Sequence, residues 1–299
     1  MIHNISRFIA ALALLATAQG AWAQTPSGNW ADYKAASLTE SADHETIYIS
    51  TAEQLALFAY NVNYDVKNSK GYYCARTVEL QADIDLSAHY WTPIGNRSGF
   101  YFNGKFNGNG HVITGMNVNN DCGSNFYGFV GNFEGQSSNP SHIDNLIFRD
   151  CHVTGNVTNN ALGGVAIVAG NMKSAQSAVT NCLVVDCSVT ETDKVNDYNS
   201  HGAIIGFANG FSATNNYYYN MSGEYGGGMT NYDGTTAITA DDNGARIAYA
   251  ATLPDGVTAT ATTGIAYDSK FYTTGGTTVT LSGGQPPTAT SSAATPATT

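Results

Sequence analysis

The strings Arg149-Asp150-Cys151-His152-Val153-Thr154 and Val185-Asp186-Cys187-Ser188-Val189-Thr190 lie 36 residues apart (151 to 187) and agree at four of six positions. No other feature constrains the chain as strongly. Around them, three stretches carry a small-apolar-Gly pattern: Gly128-Phe129-Val130-Gly131-Asn132, Gly164-Val165-Ala166-Ile167-Val168-Ala169-Gly170-Asn171 and Gly202-Ala203-Ile204-Ile205-Gly206. Each is followed by a second pattern: Ile143-Asp144-Asn145-Leu146-Ile147, Val179-Thr180-Asn181-Cys182-Leu183 and Ala213-Thr214-Asn215-Asn216-Tyr217. The Asn column steps by 36 residues (145 to 181) and then by 34 (181 to 215). A looser copy, His111-Val112-Ile113-Thr114-Gly115-Met116, precedes them, behind Gly108 and Gly110.

Each copy holds about three short strand-like runs, in the second copy at 164–169, 180–185 and 187–190. Runs this short bury no face alone, whereas stacked copies bury a continuous apolar interior, with strands in parallel ~4.8 Å apart. Asn and Asp at the corners suit a left-handed backbone. The expected fold is all-β: a right-handed parallel β-helix solenoid, with repeats from about residue 78 to 223. A propeller needs four antiparallel strands in roughly 40–45 residues per blade, too much for these copies. Open ends need covers, and 50–63 predicts a capping helix. There Ser50 and Glu53 form a capping box, and Leu55, Phe58, Ala59 and Val62 share one face. Residues 24–46 read as an N-terminal extension, and 47–223 as the solenoid with its helix. A small β-rich module is expected at 224–284, with strand runs at 245–253 and 277–281, and a disordered Pro/Thr/Ser/Ala tail at 285–299.

The first residues predict export. Arg7 precedes an apolar run at 8–18, and Ala21-Trp22-Ala23 supplies a small-x-small cleavage pattern, so 1–23 reads as a signal peptide. The run is about half the ~20 apolar residues of a membrane span, and no spanning stretch follows. The expected location is secreted, at the cell surface or in the periplasm of a Gram-negative-type bacterium. With 12 Lys+Arg against 23 Asp+Glu, a net charge of −11 argues against a nucleic-acid partner, which needs a basic face.

The series Ser50-Thr51-Ala52-Glu53-Gln54-Leu55, Leu80-Gln81-Ala82-Asp83-Ile84-Asp85-Leu86-Ser87, Trp91-Thr92-Pro93-Ile94-Gly95 and Phe102-Asn103-Gly104-Lys105-Phe106-Asn107-Gly108-Asn109-Gly110-His111-Val112-Ile113, followed by the Gly-apolar-Gly copies, resembles the GLUG-motif proteins over roughly residues 47–223. These are exported bacterial β-helix proteins, including adhesin-like surface proteins and the stalk regions of IgA-specific metallopeptidases. The stretch 267–284 resembles small β repeats that follow such regions. The resemblance implies an extracytoplasmic binding or display scaffold and no catalytic residues. The peptidase motif His-Glu-x-x-His does not occur in the chain.

Site by site, the sequence predicts no catalytic, cofactor-binding or metal-ligating residue. Asp83 and Asp85, two apart, suit one face of a strand and a Ca²⁺ ion, but a strand-edge turn is the better reading. Asp241-Asp242-Asn243-Gly244 lacks the spacing and closing Glu of a calcium loop, so it reads as a turn. The repeats offer few bases, Lys105, Arg149, Lys173 and Lys194 among them, and none of these four sits beside an acidic cluster. Arg149 and Asp150 adjoin but would face opposite sides of a strand, and the seven His lack metal-ligand spacing. Phe100-Tyr101-Phe102 and Tyr217-Tyr218-Tyr219 are candidates for stacking on sugars, with core packing the simpler use. Of five cysteines, Cys151, Cys182 and Cys187 lie within the copies, and Cys151 and Cys187 would stack as buried thiols. Cys74 and Cys122 are left for a staple. The functional expectation is a non-catalytic adhesin-like or surface-display scaffold binding a glycan or a host or cell-surface protein. The alternative is a β-helix carbohydrate-active enzyme, a polysaccharide lyase or glycoside hydrolase.

Overall fold

The structure is a computed structural model that describes residues 25–64, 72–96, 99–122, 126–156, 164–192, 201–208, 212–214, 216–219 and 221–223. It also describes short strands at 229–230, 237–238, 245–246, 272–275 and 278–281. The expected leader at 1–23, Lys194, the turn at 241–244 and the tail at 285–299 lie outside these residues.

Local chemistry sets the corners. Asn109, Asn145 and Asn181 adopt φ of 53°, 57° and 53°, and Asp150 and Asp186 adopt 52° and 54°. This is the left-handed region that a short polar side chain tolerates and a β-branched one does not. Asn145, Asp150, Asn181 and Asp186 each follow the last residue of a strand, and two residues later the next begins in a new direction. Ser141–Asp144 thus passes through Asn145 to Ile147–Arg149, and through Asp150 to His152–Gly155. The next copy repeats the path through Ser177–Thr180, Leu183–Val185 and Ser188–Glu191. Equivalent strands pair in parallel, with Ile147 opposite Leu183, His152 opposite Ser188 and Ala169 opposite Ile205.

The strands segregate into separate sheets. A seven-stranded sheet opens with the antiparallel pair Thr39–Glu40 and Thr46–Ile49, then continues in parallel through Thr77–Leu80, Lys105–Asn107, Ser141–Asp144, Ser177–Thr180 and Ser212–Thr214. A six-stranded parallel sheet runs from Ile84–Asp85 to Ala245–Arg246. A four-stranded parallel sheet contains Asn117–Val118, His152–Gly155, Ser188–Glu191 and Ser222–Gly223. Two three-stranded parallel sheets hold the Gly-apolar-Gly strands. Met229–Thr230 with Ala237–Ile238, and Tyr272–Gly275 with Thr278–Leu281, form two antiparallel pairs.

The described residues are therefore mixed α/β, built from several parallel sheets and one α-helix. This corrects the expected all-β fold, a single right-handed parallel β-helix solenoid with a covering helix. The physical reason lies partly in residues 52–64. The helix Ala52–Tyr64 is no lid, because Leu55, Ala56, Phe58, Ala59 and Val62 are buried in the same core as the strands. Phe58 meets Phe102 edge to face at 5.8 Å. Asn63 closes the helix onto the chain: its Oδ1 accepts from the Gly95 and Asn96 amides at 2.7 and 3.0 Å, while its Nδ2 donates to the Pro93 carbonyl at 3.0 Å. The helix start also shifts by one residue. The Gln54 amide donates to Thr51 Oγ1 at 3.2 Å and Gln54 Oε1 accepts from the Ser50 amide at 2.8 Å, so Thr51 and Gln54, not Ser50 and Glu53, form the cap.

Inside, aromatic rings interlock: Phe129 meets Phe106 and Phe148 edge to face at 5.1 and 5.4 Å, and Phe102 stacks with Phe133 at 6.0 Å. At Gly170 the backbones approach so closely that a Cβ would stand 2.7 Å from the Tyr127 nitrogen and 2.9 Å from the Gly164 oxygen. The recurrent glycine there is a steric requirement.

Candidate functional site

The four-stranded sheet turns Val118, Val153 and Val189 inward. Alternation along each strand then sends Asn117, His152, Ser188 and Ser222 to the outer face, one directly opposite the next. Parallel bridges extend this line through Tyr90 to Asn29. Six polar positions spaced ~4.8 Å apart give a strip on the order of 24 Å long. Thr154 and Thr190, also directly opposite each other, make a second polar line beside it.

In the middle of the strip His152 reaches both ways. Its Nδ1 lies 2.7 Å from Ser188 Oγ, and its Nε2 lies 3.3 Å from a carboxylate oxygen of Asp150. All three side chains touch solvent: the His152 and Asp150 side chains are 45% and 59% exposed, and Ser188 is half-buried. The left-handed corner at Asp150 turns its carboxylate back towards residue 152.

At the Asn29 end the strip meets an aromatic recess. It is shallow and open to solvent, with about 30 Å³ of free volume, and is lined by Trp30, Ala56, Tyr60, Tyr64, Trp91 and Thr92. Tyr60 and Tyr64, one helical turn apart, sit with ring centres 4.5 Å apart. Lys34 Nζ lies 4.4 Å above the Tyr60 ring and donates to the Ala31 carbonyl at 2.9 Å. Tyr33 stacks flat on His89 at 3.6 Å, and Trp30 meets the same imidazole edge-on at 4.8 Å. Two joints fix the recess: Trp30 Nε1 donates to the Leu86 carbonyl, and Thr92 Oγ1 donates to Asn29 Oδ1 at 2.9 Å. Among the described residues, Tyr33 and Tyr64 are the large hydrophobic side chains left half exposed.

Apart from Asp150, the residues singled out from the sequence fall elsewhere. Asp83 Oδ1 accepts from the Val112 amide at 3.0 Å and lies 3.0 Å from His111 Nδ1, while Asp85 Oδ1 accepts from the Ser87 amide at 2.9 Å. Both carboxylates are engaged in turns. Phe102 and Tyr218 are buried in the core, whereas Phe100 and Tyr101 are half-buried, with Gln136 Nε2 donating to the Tyr101 hydroxyl at 3.3 Å. Lys105 is exposed, Arg149 half-buried in the six-stranded sheet, and Lys173 Nζ lies 5.5 Å over the Phe126 ring. Asp150 sits at a corner, not on a strand beside Arg149. Cys151, Cys182 and Cys187 are buried thiols. Burial pushes the Cys182 thiol up to about 12, and burial together with the neighbouring Cys151 raises Cys187. The Cys122 side chain lies outside what is described, and with it the Cys74–Cys122 staple. Among the described residues no three His, Cys, Asp or Glu side chains converge as a metal site, and no helix is long and apolar enough to cross a membrane.

The sequence reasoning missed both features. The signal for the strip was present, since the two matched strings place His152 and Ser188 in one column. The recess had a weaker signal in Tyr60 and Tyr64 at i, i+4. No family model, curated protein or solved structure matches the chain.

Proposed function

We propose that this chain is an exported adhesin-like or surface-display scaffold that binds a glycan along the polar strip, with one end stacked on the exposed rings beside the aromatic recess. The observation that carries the reading is their continuity: a flat, in-register row of hydroxyl, amide and imidazole groups runs into rings held open by the helix. Sugars offer hydroxyls to such a row and C–H faces to such rings, and Tyr and Trp serve where one side is apolar and the other wet. Export rests on Arg7, the run at 8–18 and Ala21-Trp22-Ala23, and places the protein outside the cytoplasm, secreted, on the surface or in the periplasm. The display role is the one its resemblance to GLUG-motif proteins implies.

A glycan array read with the purified protein tests this, followed by titration of the best binder against Tyr60→Ala and Tyr64→Ala. The expected result is saturable binding weakened at least tenfold by either change at an unaltered melting temperature. Binding indifferent to both changes refutes the recess. An empty array beside capture of a defined protein ligand replaces the glycan with that partner.

A further inference from the structure

We propose that Ser188 and His152, with Asp150 behind them, form an acyl-transfer relay that cleaves ester-linked acyl groups. The activity goes beyond binding. Only the ester's carrier, an O-acylated glycan lying on the strip, rests on the reading above.

The Asp150 carboxylate lies 3.3 Å from Nε2 as a charge contact, not a hydrogen bond, and its negative charge favours the imidazole proton on that nitrogen. Nδ1 is then left as an acceptor, 2.7 Å from Ser188 Oγ, which donates its hydroxyl proton to it. A nucleophile within hydrogen-bond reach of a base, itself oriented by a third group, is the arrangement that activates a serine. A longer base–orienter contact is ordinary in an unliganded site. A plain polar ladder requires no such reach: on the preceding strand Asn117 Nδ2 donates to its own Gly115 carbonyl at 2.9 Å. The scaffold is rigid, because residues 152 and 188 are opposed in a parallel ladder and the Ser188 amide is held by the Cys151 carbonyl at 2.9 Å. Thr190, exposed and two residues along on the same face, offers a hydroxyl to a developing oxyanion.

In the reaction Ser188 Oγ attacks the acyl carbonyl carbon while its proton passes to His152 Nδ1. The tetrahedral intermediate collapses, the ester C–O bond breaks, and the departing alcohol oxygen takes that proton. Water then repeats the sequence on acyl-Ser188, releasing a carboxylic acid and restoring the hydroxyl. The balance is ester plus water giving alcohol plus acid. Ser188 and His152 are the catalytic residues, and Asp150 is a positioning residue.

The test treats the full-length protein with a fluorophosphonate probe, maps the adduct by mass spectrometry, and follows p-nitrophenyl acetate turnover. The expected adduct is on Ser188. Ser188→Ala abolishes both signals, and His152→Ala lowers turnover at least 100-fold. Asp150→Asn lowers kcat at least tenfold with KM unchanged. Asn keeps the left-handed corner, as Asn145 and Asn181 show, so a loss there reports on charge and not on folding. Folded protein that takes no label on Ser188, or labelling that ignores His152, overturns the relay. Unaltered protein that binds glycan on the array yet takes no label on Ser188 loses the relay and leaves the glycan reading intact. Ser188 labelling on a protein that binds no glycan upholds the relay and removes only the carrier.

Discussion

Replacing Asn181 with Ala removes two things that the structure keeps separate. The first is tolerance of the left-handed backbone at φ 53°, which costs an ordinary side chain roughly 1–2 kcal/mol. The second is the bond from Asn181 Nδ2 to Asp144 Oδ1, 2.9 Å long, which ties one copy to the copy before it. Hydrogen bonds to charged groups contribute about 1.5–3 kcal/mol. The lower end applies, because Asp144 keeps the Thr180 hydroxyl at 2.8 Å and the Asn145 amide at 2.9 Å. The sum is about 3 kcal/mol. In a structured region of this size that lowers the melting temperature by roughly 6–12 °C. Asn181→Gly separates the parts, since glycine enters the left-handed region freely and forfeits only the amide bond and some chain entropy, about 2 kcal/mol in all. Urea unfolding monitored by circular dichroism gives both values. Equal losses for Ala and Gly would show that the backbone conformation contributes nothing. A loss under about 0.5 kcal/mol for Ala would refute the whole account of the corner.

Gly170→Ala should destabilise by about 3 kcal/mol, the upper edge of the usual overpacking range, because the Tyr127 and Gly164 backbones on either side have no room to yield. A melting temperature equal to wild type would contradict that packing. Stability should also fall as pH rises from about 9 towards 12. The unfolded Cys182 thiol ionises near 9.0, whereas the folded one holds its proton to about 12, so its contribution is complete below 9 and lost progressively above. By pH 10 the loss is on the order of 1 kcal/mol, and Cys182→Ala should flatten that part of the urea-midpoint profile. Thr51→Ala should cost about 1 kcal/mol and Glu53→Gln nearly nothing, the reverse of what a Ser50–Glu53 box requires.

The recurrence was legible because corners leave a chemical trace. Only a residue at ease with positive φ serves at 145, 181, 150 and 186, so Asn and Asp mark them, and the pairing of residue 147 with 183 follows the column directly. The partition into sheets and the fate of the helix were not legible in the same way. Leu55, Phe58 and Val62 announce one apolar face, but an apolar face packs equally well over an end or into a core. Phe102, at the other end of that contact, decides it. The antiparallel pair Thr39–Glu40 with Thr46–Ile49, and the bridge from Asn29 to Tyr90, fall in residues that carry no copy of the pattern, so no column pointed to them. At the strip, Asp150 and His152 were in plain view as neighbours of Cys151. What a linear reading lacks is the reach across to Ser188, which exists only once residue 152 lies opposite 188.

The two kinds of corner place different demands on sequence change. Between Asp144 and Ile147, and again between Thr180 and Leu183, two residues make the whole connection, one of them left-handed and clipped to the copy before. An inserted or deleted residue there would turn the side chains of the strand that follows to the wrong face. The joints from Val118 to Phe126, from Gly155 to Gly164 and from Glu191 to His201 span seven, eight and nine residues, and the strands on either side keep their register across all three. Length has already varied there at no cost to the pairing. These joints follow the strands that carry Asn117, His152 and Ser188, so the margin of the polar strip is where descendants of this chain can lengthen, shorten and diversify what they meet while the framework beneath stays constant.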